Sequence, residues 1–508
     1  MSSPQDHNLY SRFEAAFPAN PDAPLLQTAE GQTFSYADAV RESARLANYL
    51  VRLGARPGDR VTCQVEKSPQ VLWLYLACLR AGLVYHPLNT AYQASELEYF
   101  VGNAEPRIVV CTGQTANLFN TLVGPAADVQ VLTLEADGSG SLNAGAGVCA
   151  ETFATVARQS DDLAALLYSS GTTGQPKGIM LSHANLASNG MTLVKLWGFT
   201  AGDVLLHVLP VFHVHGLFIA THCVLLSGAR MCWLDRFEAG EVMAQLPHCS
   251  VMMGVPTYYT RLLAEPHFGP ASCGSMRLFI SGSAPLLAET FSEFEQRTGH
   301  RILERYGMTE TGMNTSNPLY GERRAGTVGP ALPDVEVRVV GGDGATLPAG
   351  EAGDLQVRGP NVFKAYWRMP QKTLEDFTSD GFFNTGDKAS ISPDGYVSIV
   401  GRAKDMIICG GLNVYPKEIE LLLDGIAGVG ESAVIGVPHR DFGEAVIAVI
   451  VPAGKSPLDE RAIIEFSKHR IANFKVPKRV FFQDALPRNA MGKVQKNLLR
   501  ERYADSFA

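Results

Sequence analysis

Apolar positions in the first part of the chain follow two different spacings. Tyr36–Leu53 carries a helical period, whereas Arg60–Val65 and Ile108–Cys111 are short runs rich in β-branched residues. That alternation predicts a layered α/β architecture. Leu163–Ser170 has the length of a buried strand and runs directly into a loop of Gly, Ser and Thr. The Gly/Ala/Ser-rich stretch Ala136–Gly147 reads as a surface loop. From Val335 to Val357, dense β-branched residues and a GGDG turn predict a smaller β-rich unit. SISPDGYVSIVGR predicts a hairpin turning at Pro393-Asp394-Gly395. Beyond it the texture changes to an amphipathic helix around Lys417–Leu423, β-rich runs at Ser432–Val437 and Ala445–Val451, a helical pattern at Glu460–Ile471, and a basic tail. The expected organisation is a large N-terminal domain, residues 1–402, of layered α/β plus a small β unit, followed by a small α+β domain, residues 403–508.

A chain of 508 residues is too long for one core, and its 46% hydrophobic and 19% charged residues are ordinary for a globular protein. Apolar stretches such as Val71–Leu79 are shorter than a bilayer span, so no membrane partner is expected. The N-terminus lacks a signal pattern and the last residues are no peroxisomal address. Nine cysteines without a CxxC pair argue against a disulfide framework or a zinc site and fit a reducing cytoplasm. A net charge of −8 speaks against nucleic acid as a partner. Anionic substrates would instead meet local basic sites.

YSSGTTGQPKG, Tyr168–Gly178, is the most informative stretch. Gly171, Gly174 and Gly178 allow close backbone approach, so that consecutive amides can converge on an anion. Ser169, Ser170, Thr172 and Thr173 add hydroxyl donors, and Lys177 adds a cation for phosphate oxygens. The spacing is not that of a P-loop, and taken alone the stretch could equally be a flexible surface loop.

SSGTTGQPKG closely resembles the phosphate-binding signature of the acyl-CoA synthetase, adenylation-domain and luciferase superfamily. YGMTE (Tyr306–Glu310), TGD (Thr385–Asp387), GRAKDMI (Gly401–Ile407), GGLNVYPKEIE (Gly410–Glu420) and PRNAMGK (Pro487–Lys493) follow in the family's order, so the resemblance spans nearly the whole chain. It implies the acyl-adenylate-forming enzyme fold with a mobile C-terminal domain. It also implies ATP, Mg²⁺ and coenzyme A as reaction components. The reaction would be attack of a carboxylate on the α-phosphorus of ATP, then transfer of the acyl group to a thiol. By the same resemblance Tyr306 belongs to the ATP site, Thr309 contacts the adenylate phosphate, and Glu310 helps hold Mg²⁺. Asp387 accepts from the ribose hydroxyls and Arg402 contacts the ribose. Lys493 is the catalytic lysine, with Lys496 as its nearest decoy, and Lys404 is the hinge. Gly410 and Gly411 line the pantetheine channel. Lys475 is a weaker candidate for a CoA phosphate, since a solvated charge run reads as well. Acylation of Lys493 by an acetyltransferase, reversed by a deacetylase, is a form of control that the resemblance suggests.

Two arginines narrow the acid. Arg305 directly precedes YGMTE, and Arg261 lies in PTYYTRLL, a helix bordering the acyl site in relatives. An unpaired guanidinium in an acyl pocket is costly to desolvate, and a second substrate carboxylate would offset that cost. LERYGMTETGMNTSNP, SGSAPLL and PTYYTRLL are similar to the malonyl-CoA synthetases, which act on malonate or methylmalonate. His213 and Ser283 would then lie near the acyl group. The alternatives are pairing of both arginines with internal acids such as Glu304 or Glu310, a CoA ligase for another short acid, and an adenylation enzyme that loads a carrier protein.

Overall fold

Pro69–Arg80 is buried on every side, including Trp73, Tyr75 and Leu76, because nothing but its terminal residues is strongly polar. Such a helix belongs in a core rather than on a surface. It lies against the strands Arg60–Gln64 and Val84–Pro87, which are themselves buried on both faces apart from Arg60. Both lie in a six-stranded sheet whose strands run parallel except for the last, Pro176–Ser182, which folds back antiparallel on Leu163–Ser170. Continuous apolar runs are what a parallel sheet covered by helices on both faces demands.

The computed structural model describes residues 6–124, 128–170, 176–284, 286, 288–402, 406–414, 416–454, 458–487 and 494–507. Among them a second sheet of eight strands contains Val204–His207, Arg230–Trp233, Val251–Gly254, Leu278–Ser281 and Leu303–Met308 in parallel, closed by the antiparallel strand Gly312–Ser316. The β-rich unit forms as expected: Glu336–Val340, Ala352–Arg358, Phe383–Ile391 and Val397–Arg402 make a four-stranded antiparallel sheet. Gly395 takes φ +88° at its last turn, where a Cβ would be strained.

The C-terminal residues build an α+β unit around Val429–His439 and Gly443–Pro452. Alternation sends Val434 and Val446 toward the helices Pro416–Asp424 and Glu460–Lys468, and Ala433 and Ile435 toward Leu486 and Leu499 of the tail. The expected boundary at 402/403 abuts residues 403–405, outside the described residues, and with them the hinge at Lys404. No helix among the described residues is long and apolar enough to cross a membrane. All nine cysteines are free thiols.

One expectation fails. Ala136–Gly147 is not simply a loop, because Ser141–Ala146 is helical with Leu142 and Ala146 buried. A Cβ on Gly145 would fall 2.1 Å from Tyr49 Cζ, so this glycine permits a close packing contact rather than flexibility.

Asn185 ties the helix His183–Leu196 to the segment 360–362. Its Oδ1 caps the helix His183–Leu196 by accepting from Ser182 N and Oγ, and its Nδ2 donates to Pro360 O and Val362 O. All four bonds lie at a buried position. Asn185→Ala orphans these partners and should destabilise the protein by about 3 kcal/mol, read as a lower urea midpoint.

Candidate active site

The strand Leu303–Met308 and the turn after it distribute the site. Successive residues of a strand face opposite sides. Glu304 therefore points to one face, where its Oε1 accepts from Leu286 N at 3.1 Å, and Arg305 points to the other. Internal pairing of Arg305 with Glu304 is excluded by that alternation. Arg305 is 3% exposed, and its Nε and Nη2 have no hydrogen-bond partner among the described residues. No carboxylate among them pairs with it either. Burial pushes its pKa down to about 9, which still leaves it charged at neutral pH. A Cβ on Gly282 would fall 2.3 Å from Arg305 Cζ, so the guanidinium lies across the SGS backbone and would have to move aside for any side chain there.

Two histidines share this cation's surroundings. His213 Nδ1 accepts from His215 N at 3.2 Å, and His215 Nδ1 pairs with Ser283 Oγ at 3.2 Å. Ser283 holds a left-handed φ of +69°, a strained conformation for serine. Burial, then the Arg305 charge, lowers His213 to about 4 and His215 well below its usual value. Both rings are neutral at pH 7. His215 was not anticipated as a pocket residue. It begins a π-helical turn, His215–Ala220, a feature common at functional sites.

Behind that turn lies a network invisible in the sequence. Lys67 Nζ donates to His207 Nδ1 (2.9 Å), His207 O (2.8 Å) and Leu234 O (2.6 Å), while His207 Nε2 lies 3.0 Å from Gly216 O. A neutral His207 ring accepting at Nδ1 must carry its proton at Nε2 and donate to the turn. Lys67 thereby braces the wall of the pocket. No motif marks it; only a lysine standing before a wholly apolar helix could have drawn notice.

Next to Arg305 on the same strand, Tyr306 donates its hydroxyl proton to Asp387 Oδ2 at 2.5 Å, joining two residues expected at the nucleotide. Asp387 stands opposite Arg402 in the antiparallel register. Thr309 and Glu310 form the turn, and Ser169 Oγ donates to Glu310 Oε1 at 3.5 Å. The YGMTE turn thus faces the start of the phosphate loop. Ser170 ends its strand, and Gly171, Thr172, Thr173 and Gly174 lie outside the described residues, as does Lys493. Lys177 is buried with its ammonium 3.2 Å from Asp376 Oδ2 and over the Tyr366 ring.

Two expectations need correction. Arg261 is not an unpaired pocket arginine: its side chain is 43% exposed and gripped bidentately by Asp441 of the C-terminal unit, at 2.9 and 2.8 Å. Lys475 does not await a CoA phosphate. It is 2% exposed, and its ammonium lies 2.6 Å from Glu96 and 2.7 Å from Glu418. The Gly410–Gly411 turn, with φ +60° and +80°, comes within reach of the acyl side of the N-terminal domain. A Cβ on Gly411 would fall 2.8 Å from Val255 Cγ1.

Residues 13–367 match the AMP-binding enzyme family, and residues 418–493 its C-terminal domain. The chain belongs to this adenylate-forming family. It is 35% identical to a feruloyl-CoA synthase from Amycolatopsis sp, over 93% of this chain and 94% of that protein. It is 31% identical to a malonate–CoA ligase from Arabidopsis thaliana, over 99% and 90%. Among solved structures, ATP-bound MatB from Rhodopseudomonas palustris is 52% identical, covering 99% of this chain and 100% of that one with a TM-score of 0.79. A double mutant of o-succinylbenzoate CoA synthetase from Bacillus subtilis, bound to its product analogue OSB-NCoA, is only 26% identical, yet over 98% and 99% it reaches 0.87.

Gly282→Ala should displace the Arg305 guanidinium, raising KM for the acid about tenfold or more while KM for ATP stays within about twofold. Steady-state kinetics on both substrates check this. Burial also raises Glu304 to about 7, against 4.5 for a free glutamate. A raised folded-state pKa means that its stabilising contribution is complete below pH 4.5 and is lost as pH rises through about 7. Glu304→Gln should remove roughly 3 kcal/mol of that pH dependence, read as the difference between wild-type and variant denaturation across the range.

Proposed function

We propose that this protein is an ATP-dependent, AMP-forming acid–CoA ligase that converts malonate, and also methylmalonate, to its CoA thioester. The reaction has two steps. One substrate carboxylate attacks the α-phosphorus of ATP, forming the acyl-adenylate and releasing pyrophosphate. The CoA thiol then attacks the acyl carbon, its proton departs, and AMP leaves. Neither step needs a protein nucleophile; placement and charge supply the catalysis.

The single observation carrying the choice of acid is Arg305, a buried cation with no carboxylate partner among the described residues. A guanidinium in that state is costly until an anion reaches it, and a second carboxylate on the substrate provides one with bidentate geometry. Neutral His213 and His215 add no competing charge and can donate or accept beside it. An aromatic acid, of the kind named in the feruloyl relative, would leave the cation uncompensated. The malonate-acting relatives agree with the diacid reading.

In the nucleotide half, Tyr306, Asp387 and Arg402 would hold the ribose. Ser169, Ser170, the loop 171–174 and Lys177 would hold the phosphates, Thr309 would contact the adenylate, and Lys493 would act as the catalytic lysine at the carboxylate and α-phosphate. A buried carboxylate, Glu310, within reach of the Ser169 hydroxyl suits Mg²⁺, which takes few protein ligands and completes its shell from phosphate oxygens and water. When bound, that ion would neutralise phosphate charge.

A panel of acetate, malonate, methylmalonate and succinate, compared by kcat/KM, tests the assignment. Arg305→Met should lower kcat/KM for malonate by about a thousandfold and leave ATP affinity unchanged. Full malonate turnover in that variant, or a preference for acetate in the wild type, defeats it.

A further inference from the structure

Among the described residues several contacts join the C-terminal unit to the helix Ala94–Ala104 and its approach, and two of them meet at one acidic side chain, Glu96. Glu96 sits in the first turn of the helix Ala94–Ala104 and is 8% exposed. Its Oε2 accepts from Gln93 N at 3.0 Å, closing its own helix, and from Ala472 N of the C-terminal unit at 3.0 Å. Its Oε1 accepts from Lys475 Nζ at 2.6 Å. One residue earlier, Ser95 Oγ donates to Arg470 O at 2.7 Å. Lys475 is shared with Glu418 of its own unit and lies 4.9 Å from the centroid of the Tyr92 ring. Burial pulls its pKa down, but the carboxylates around it more than reverse that, so it stays charged.

These contacts accompany one particular pose. Gly411 is pressed on Val255, and Arg261 is held by Asp441. Gly411, which the family resemblance assigns to the pantetheine channel, thus stands against the acyl side of the N-terminal domain, the arrangement that thioester formation would use.

We infer that Glu96 and Lys475 form an interdomain latch that holds the thioester-forming pose, making them positioning residues for the second step rather than ligands of CoA. The inference rests on the two-step CoA ligase reading but not on malonate, since it concerns only the step that consumes the adenylate. A carboxylate already serving its own helix cap is fixed in direction before docking, so the incoming Lys475 and Ala472 N meet a preformed acceptor. When the domain swings away, Glu96 keeps its cap and returns to water. The contact is strong when made and leaves no orphan when broken.

The test separates the two half-reactions in Glu96→Gln, a near-isosteric change. Pyrophosphate exchange into ATP, with whichever acid the wild type activates best, should stay within about twofold. Thioester formation from preformed adenylate should slow at least about tenfold in rapid-quench single turnovers. A second readout requires no activity. With Arg261→Cys and Asp441→Cys in place, a short bis-maleimide should cross-link the domains several-fold faster when Glu96 is intact than in the Glu96→Gln background. Equal slowing of both half-reactions would mark a merely structural role and overturn the latch. So would a raised KM for CoA with unchanged maximal rate and unchanged cross-linking, which would return Lys475 and Glu96 to CoA binding. Absence of adenylation in the wild type with every acid would instead reject the ligase reading itself.

Discussion

Taking a guanidinium out of water costs several kcal/mol, and the fold meets that cost at Arg305 with neither a carboxylate nor a hydrogen bond at Nε and Nη2 among the described residues. Much of the acyl end is arranged around this charge. Gly282 is glycine because the guanidinium fills the space its side chain would need. His213 and His215 are kept neutral partly by the same cation. Ser283 accepts a strained backbone to reach His215. Glu304, the nearest acid in sequence, is turned away by strand alternation and spent on anchoring the loop at Leu286. A field left uncompensated by the protein is available to a ligand, which is how a pocket can prefer a diacid over an acid with a neutral tail.

The same strand carries residues proposed for the nucleotide end. From Glu304 to Glu310, seven consecutive positions supply the loop anchor, the acyl cation, the Tyr306–Asp387 bridge and the turn that meets Ser169. Arg305 and Tyr306 lie on the strand itself, so their separation is set by strand rise, whereas Thr309 and Glu310 lie in the turn that follows it. Rigid elements hold reacting groups more precisely than loops do.

Features were legible in the sequence wherever the constraint on them is local. The phosphate loop, YGMTE and TGD require given residue types at fixed spacing, and the structure brings Tyr306 against Asp387 and Ser169 against Glu310. Arg305 was legible because its neighbours in sequence are its neighbours on the strand. Arg261 was not. Its partner Asp441 lies 180 residues away on the other unit, so no local pattern could announce the pair. Lys475 misled in the opposite direction: a lysine in a basic run reads as solvated, yet two distant carboxylates bury it. Ala136–Gly147 misled because composition cannot tell a glycine that loosens a loop from one that admits Tyr49.

One short helix connects the two halves of the problem. Pro256–Ala264 comes directly after Val255, on which Gly411 leans, and carries Arg261, which Asp441 grips. It also carries Tyr259, buried beside Arg305, with its hydroxyl proton given to Ile280 O at 2.6 Å. A shift of this helix cannot change the acyl pocket without changing the surface that the C-terminal unit docks on, because packed cores transmit displacement rather than absorb it. The Glu96–Lys475 contact lies on a different element and supplies its attraction independently of the acid bound. Affinity for the docked pose and sensitivity to the acyl group are thus divided between two surfaces. On the proposed reading, that division would let one latch serve the second step while the pocket decides which acid reaches it.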